Sequence, residues 1–287
     1  MSPNRPKDGA DQAQDEADGA QDGADHAFDG ADQARPDEIV RLQQGAVLQF
    51  GFNRPERRNA INLRMYDALS AGLDHAAADS GIKVVVLHGD AAVFTAGNDV
   101  GDFLRSPPTS EDSPVLRFLA ALSGFKKPLI GAVNGPAVGV GTTMLLHCDL
   151  VYAAEDAQFS LPFARLGLCP EAGSSVLLPA LAGYARAAEK LFFGEPFDAI
   201  EARNMGLVNK VLPAAEVLAH ALERAQALTR LPSASLMQTK RLMRAPLAAQ
   251  VAAAMTDETR TFRRMLTEPA AREAFEAFLQ KRKPDFS

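Results

Sequence analysis

The chain has 287 residues, 47% of them hydrophobic and 23% charged, with a formal net charge of −6. That length and composition suit a globular protein with a sizeable core, and Cys148 and Cys169, its two cysteines, support neither a disulfide framework nor a cysteine-rich metal site. No apolar run approaches the ~18 residues of a membrane span, the start is acidic where a signal peptide is basic, and this cysteine usage suits a reducing compartment, so a cytoplasmic protein with no membrane partner is expected.

The charge is unevenly placed. Residues 1–36 hold eight aspartates and Glu16 against Arg5, Lys7 and Arg35, which accounts for the whole net charge and leaves 27 acids and 27 bases in the rest. A neutral body lacks the basic footprint of a nucleic-acid partner. Within the acidic segment a unit beginning at Asp8 recurs from Asp15, Asp22 and Asp29, which spaces its alanines like a coiled-coil seam. Alanine buries too little surface to drive association, and the glycines and aspartates disfavour helix. Residues 1–36 are therefore expected to be a disordered acidic heptad-repeat tail without chemistry of its own.

From residue 37 onward strand-like and helix-like segments alternate. Residues 39–42 and 46–52 read as strands joined in a hairpin at Gln43-Gln44-Gly45, followed by a charged loop over 53–59. Residues 63–78 have the apolar spacing of a helix, and 84–87 form a continuous apolar run, the pattern of a strand buried on both faces. After a loop containing Gly97 come helices at 99–104 and 114–122, a strand at 128–133 and a turn at Asn134-Gly135-Pro136. A helix at 141–147 and a strand at 150–153 follow. Repeated strand-to-helix units predict an α/β core. From residue 214 the pattern is nearly all helical, with helices at 214–228, 233–243, 247–266 and 270–280. A soft boundary near 230 divides a core, 37–230, from a C-terminal helical region, 231–287, that packs on it or on a neighbouring subunit.

Three segments stand out in this order: Asn53-Arg54-Pro55-Glu56-Arg57-Arg58-Asn59-Ala60, Phe94-Thr95-Ala96-Gly97-Asn98-Asp99-Val100, and Asn134-Gly135-Pro136-Ala137-Val138-Gly139-Val140-Gly141. On its own residues the second reads as a Gly-Asn turn with Asp99 capping a helix. Taken together, the three resemble the loop ahead of the first helix and the two oxyanion loops of the crotonase (enoyl-CoA hydratase/isomerase) family. The resemblance covers about residues 38–287 and includes the basic end Lys281-Arg282-Lys283. It implies a crotonase-like spiral of repeated ββα units with a C-terminal helical region. It also implies an acyl-CoA thioester as substrate, no metal and no other cofactor beyond the CoA that enters with the substrate, and a homotrimer or dimer of trimers.

Thioesters of this family react through an enolate, so negative charge develops on the thioester oxygen. Two backbone N–H groups fixed at that oxygen stabilise the charge, and losing one such donor costs about 2.7–4 kcal/mol. By the resemblance these donors belong to Asn98 and Val140, with Ala96, Gly97 and Gly139 lining the same site. Val140 stands where glycine is commonest in the family, and a β-branched residue resists positive φ. Arg57, Arg58 and Lys281 match places where the family's basic residues meet CoA phosphates. As ordinary loop charges they would simply be solvated.

The family's hydratases use two glutamates to activate water, and the matching positions here hold Thr143 and Phe163. Simple hydration is therefore not expected, and Phe163 is expected to line the substrate site. The remaining candidate base is Glu171, in Leu168-Cys169-Pro170-Glu171-Ala172-Gly173-Ser174-Ser175. This segment is similar to that of peroxisomal-type 3-enoyl-CoA to 2-enoyl-CoA isomerases, whose Pro-Glu glutamate moves the proton. One carboxylate beside an apolar wall suits that task, with Phe159, Leu161 and Phe163 as candidate wall residues. A glutamate after proline in a helix's first turn is also favoured by the macrodipole alone. His75, His88, His147 and His220 lack metal-ligand spacing, the cysteines read as packing residues, and Ser174 and Ser175 have no base partner. The sequence thus predicts an enoyl-CoA isomerase. The alternatives are an enoyl-CoA hydratase or another crotonase-type enzyme, and a non-catalytic acyl-CoA-binding protein.

Overall fold

The computed structural model describes residues 37–105, 110 and 112–287, and the expected acidic tail lies outside the described residues. Strand β1 (Ile39–Gln44) pairs antiparallel with β2 (Val47–Phe52), as the alternating pattern predicts. Gln44 stands opposite Val47, so the ladder runs through Gln43 and Gln44 and the turn falls on Gly45-Ala46, later than expected. Further strands follow in chain order: β3 (Val84–His88), β4 (Leu129–Val133), β5 (Pro136–Val138), β6 (Leu150–Ala154), β7 (Gln158–Ser160), β8 (Phe197–Asp198) and β9 (Lys210–Leu212). One sheet has the order β1-β2-β3-β4-β6-β9, parallel from β2 onward. Val84, Val85, Val86 and Leu87 of β3 are all buried, which explains their unbroken apolar run. A small second sheet, β5-β7-β8, begins at Pro136, where only a turn was expected.

Helix α1 (Leu63–Ala78) starts at Asn62, whose side chain accepts from Met65 N, and buries Met65, Tyr66, Leu69, Leu73 and Ala76 at helical spacing. It packs against α3 (Pro114–Gly124), and the short α2 (Val100–Arg105) lies between them in sequence. The helix expected over 141–147 is α4 (Val140–Thr143) continued by a 3-10 turn, Met144–His147. Helices α5 (Ser174–Ala182), α6 (Tyr184–Phe193) and α7 (Ala199–Asn204) fill a stretch for which no element was predicted. Helix α8 (Val217–Thr229) packs on β3, β4 and β6.

Helix α9 (Ser233–Met265) is one helix of 33 residues with Pro246 inside it, where two helices, 233–243 and 247–266, were expected. A proline inside a helix frees the carbonyl four residues back. Here that carbonyl belongs to Leu242, which is exposed, as is Pro246, so water can satisfy it. Helix α10 (Pro269–Leu279) follows, and residues 37–287 form one compact unit. No helix among the described residues is long and apolar enough to cross a membrane.

Candidate active site

The loop after β3 and the turn after β4 lie side by side because they share a backbone ladder. Thr95 N donates to Pro136 O at 3.1 Å, and Val138 N donates to Thr95 O at 3.0 Å. The loop ahead of α1 supports them from the other side. Ala96 N donates to Arg58 O (3.0 Å), Ile61 N to Gly97 O (2.8 Å) and Asp99 N to Ile61 O (2.9 Å). Gly97 takes φ +86°, and a Cβ there would stand 2.6 Å from Val138 O, so only glycine permits this approach.

Gly139, at φ 56° and ψ −117°, is the residue that turns the chain into α4. Val140 is the first helical residue and is not among those with positive φ, so the expected resistance of its β-branch does not arise. Neither Asn98 N–H nor Val140 N–H donates to a protein acceptor among the described residues. Both residues line a cavity of about 690 Å³, together with Ala96, Gly97 and Gly139. Asp99 caps α2, accepting from Asp102 N at 3.2 Å, and pairs with Arg54 at 2.7 Å. Burial works against its ionisation, but the Arg54 guanidinium and the Asp102 and Gly101 amides outweigh that and hold its pKa below the usual range.

The cavity is apolar over Phe103, Val138, Phe163, Leu166, Leu168, Phe262, Phe275, Phe278 and Leu279, with Arg54, Arg57 and Arg58 adding positive charge. Arg54 is tied to Asp99, Glu38 and the Ala60 carbonyl, whereas Arg57 and Arg58 are exposed. Lys281 does not line this cavity, in contrast to the expectation; it follows α10, exposed and at φ 53°.

Glu171 is 7% exposed and does not line that large cavity; it borders a small one of about 20 Å³ with Phe103, Val115, Leu116, Leu119, Phe262, Thr259 and Arg263. Phe103 and Phe262, edge to face at 6.0 Å, border both cavities, so the aromatic pair adjoins Glu171 on one side and the large cavity on the other. The apolar wall beside Glu171 thus comes from α2, α3 and α9. Phe163 lines the large cavity, and Phe159 stacks on Phe197 at 5.7 Å within the core. Burial first, and the Glu258 carboxylate second, push the Glu171 pKa up to about 8, against a lowering hydrogen bond from Thr143. That bond runs from Thr143 Oγ1 to Glu171 Oε1 at 3.4 Å.

Glu171 is not in the first turn of α5, which begins at Ser174 with Gly173 as its cap. The carboxylate at that helix N-terminus is Glu258 of α9, which accepts from Gly173 N at 2.6 Å and Ser175 N at 2.9 Å. The macrodipole reading of Glu171 is therefore overturned. Ser174 Oγ is spent on Glu171 O at 2.6 Å, and buried His147 donates Nε2–H to Ala172 O at 2.7 Å. Burial holds the His147 pKa down to about 4 and pushes the Cys148 and Cys169 thiols up to about 12 and 11, which leaves both sulfurs protonated.

Sequence reasoning missed two residues here. Tyr66, buried on α1, donates its hydroxyl to Asn98 Oδ1, and burial, followed by the charge of Glu171, holds its pKa well above the usual value. Glu258 is the other. Tyr66 is an ordinary member of α1's buried stripe by spacing, and Glu258 lies 85 residues from the amide it binds, so neither left a local signal.

The profile of the enoyl-CoA hydratase/isomerase family matches residues 42–287. The 2,3-dehydroadipyl-CoA hydratase of Escherichia coli (strain K12) is 35% identical over 252 residues, covering 87% of this chain and 98% of that protein. Enoyl-CoA delta isomerase 2 of Rattus norvegicus is 35% identical over 237 residues, 80% of this chain and 60% of that protein. Among solved structures, an enoyl-CoA hydratase/isomerase from Pseudoalteromonas atlantica T6c superposes with a TM-score of 0.84 at 40% identity, over 87% of this chain and 100% of that one.

Proposed function

Because this chain belongs to the enoyl-CoA hydratase/isomerase family and has the crotonase fold, we propose that it is an isomerase that moves the double bond of a 3-enoyl-CoA to the 2-position. The observation that carries this reading is the carboxylate inventory. Glu171 is buried with a raised pKa, while by the family resemblance Thr143 and Phe163 match the places that supply a hydratase's glutamates. In this reading the thioester oxygen accepts from the N–H groups of Asn98 and Val140. The Glu171 carboxylate takes a proton from C2, so the C2–H pair becomes a dienolate whose charge rests on that oxygen. The carboxylic acid then returns the proton to C4, and the double bond is left between C2 and C3. Phe163 and the aromatic pair Phe103 and Phe262 keep water from the dienolate. No metal or redox group enters the scheme, and CoA arrives with the substrate.

A second reading, hydration, is favoured by the name of the Escherichia coli relative. It needs a second carboxylate free to activate water, and both oxygens of Glu258 are engaged with backbone amides. The test is Glu171→Gln, which keeps the size of the side chain but removes the base. Isomerase turnover is expected to fall by ~10²–10⁴ with acyl-CoA binding little changed. Near-normal turnover in that variant would reject Glu171 as the base.

A further inference from the structure

We propose that Glu258 is a positioning residue, whose carboxylate fixes the turn that carries Glu171 and places a second buried negative charge beside it. The inference rests on Glu171 being the base. Most of α9 is exposed, and Glu258 is one of only four of its residues that are buried. A buried carboxylate needs its lone pairs satisfied. Oε2 takes Gly173 N–H at 2.6 Å and Oε1 takes Ser175 N–H at 2.9 Å. Both are short, charge-assisted bonds.

The backbone they hold is unusual. Ala172 and Gly173 follow Glu171 in the left-handed region, at φ 59° and 71°, and an L-residue such as Ala172 adopts it only when its surroundings impose it. His147 holds the Ala172 carbonyl from one side, and Glu258 holds the next amides from the other. Glutamine at 258 would offer one acceptor oxygen to two N–H groups. Aspartate would keep the charge but is one carbon too short to span both amides.

Around Glu171 stand Thr143, which donates to its carboxylate, Tyr66 from α1, Cys169 from its own loop, and Glu258 and Arg263 from α9, with His147 on the neighbouring Ala172 carbonyl; α2 and α3 contribute apolar side chains. Burial keeps Tyr66 and Cys169 protonated and His147 neutral near pH 7, so the charges there are Glu258 and Arg263. Removing the negative one makes ionisation of Glu171 easier.

The test combines an infrared titration of the Glu171 carboxyl band, assigned by its loss in Glu171→Gln, with the pH profile of kcat/KM on 3-enoyl-CoA. In Glu258→Gln, both midpoints are expected at lower pH than in the wild type, with KM held and kcat reduced by up to about 10²-fold as the base is displaced. In Glu258→Asp, kcat falls while the midpoints stay. A Glu258→Gln protein with wild-type midpoints and wild-type kcat would overturn the proposal and leave Glu258 as a helix cap only. If Glu258→Gln does not fold, Glu258→Asp decides alone, and wild-type kcat in it is the contrary result. Because the infrared band is read without turnover, a failed base assignment is distinguishable from a failed coupling.

Discussion

Burial sets the chemistry of Glu171 and also its cost to the fold. A group that abstracts a proton must be ionised, and Glu171 holds its own proton up to about 8. The rate constant kcat/KM should therefore rise with pH to a midpoint near 8, and a profile flat across that region contradicts the assignment. The linked effect on stability has the opposite sense. An unfolded glutamate ionises near ~4.3, so between there and about 8 the folded chain keeps a proton that the unfolded chain has lost, and stability falls as pH rises through that window. Glu171→Gln removes this penalty, so its Tm near pH 8 should exceed that of the wild type while turnover is lost. Tyr66 invites a separate test. Tyr66→Phe leaves Asn98 Oδ1, part-buried at the cavity, without its hydroxyl donor, which costs about 0.5–1.5 kcal/mol. If the Asn98 loop presents an N–H to the thioester, as proposed, kcat should fall roughly tenfold with KM held. Unchanged kcat would reduce Tyr66 to packing against Phe118.

Helix α9 shows how one element serves both stability and site. Its buried residues, Lys240, Val251, Glu258 and Phe262, form a single stripe, and two of the four are charged. Lys240 Nζ donates to Asp149 Oδ2 at 2.7 Å and to Lys127 O at 2.8 Å. Asp149 is part-buried and also pairs with Arg244 at 3.4 Å. Lys240→Met should therefore cost less than the ~3–5 kcal/mol of a fully buried pair yet still lower the urea midpoint. A midpoint unchanged from the wild type would show that α9 is anchored elsewhere. None of this anchoring was legible in the sequence, which reads as two separate helices at 233–243 and 247–266. The long, periodic elements were legible: α1, α3 and the buried strand β3 announce themselves by spacing. Strands β5, β7 and β8, with three, three and two residues, are too short for any period to register. In the site, Gly97 and Gly139 were readable because backbone donors leave glycines behind, and Glu171 through the resemblance of its segment to the isomerases, since on its own residues it reads as a first-turn glutamate. The length of α9 and the partners of Glu171 are tertiary facts, made by residues brought together across the fold.

At the scale of the molecule, fold membership leaves the reaction open, because one scaffold hosts several chemistries. The relatives reflect this: one carries a hydratase name and another a delta-isomerase name at the same 35% identity. Within this chain the isomerase proposal rests on two carboxylates, Glu171 and Glu258. Glu171 is buried and hard to ionise and Glu258 is locked onto backbone amides, while by the resemblance Thr143 and Phe163 stand where a hydratase would carry acids. The cavity itself, apolar with exposed Arg57 and Arg58 at its lining, suits an acyl chain joined to a phosphate-bearing carrier. The most direct measurement is to give the purified protein 3-enoyl-CoA and 2-enoyl-CoA in separate incubations and identify the products by retention and mass. The isomerase account predicts conversion of 3-enoyl-CoA to a 2-enoyl-CoA of unchanged mass, with no water added to either substrate. Accumulation of 3-hydroxyacyl-CoA, one water heavier, or tight binding without turnover, would contradict it.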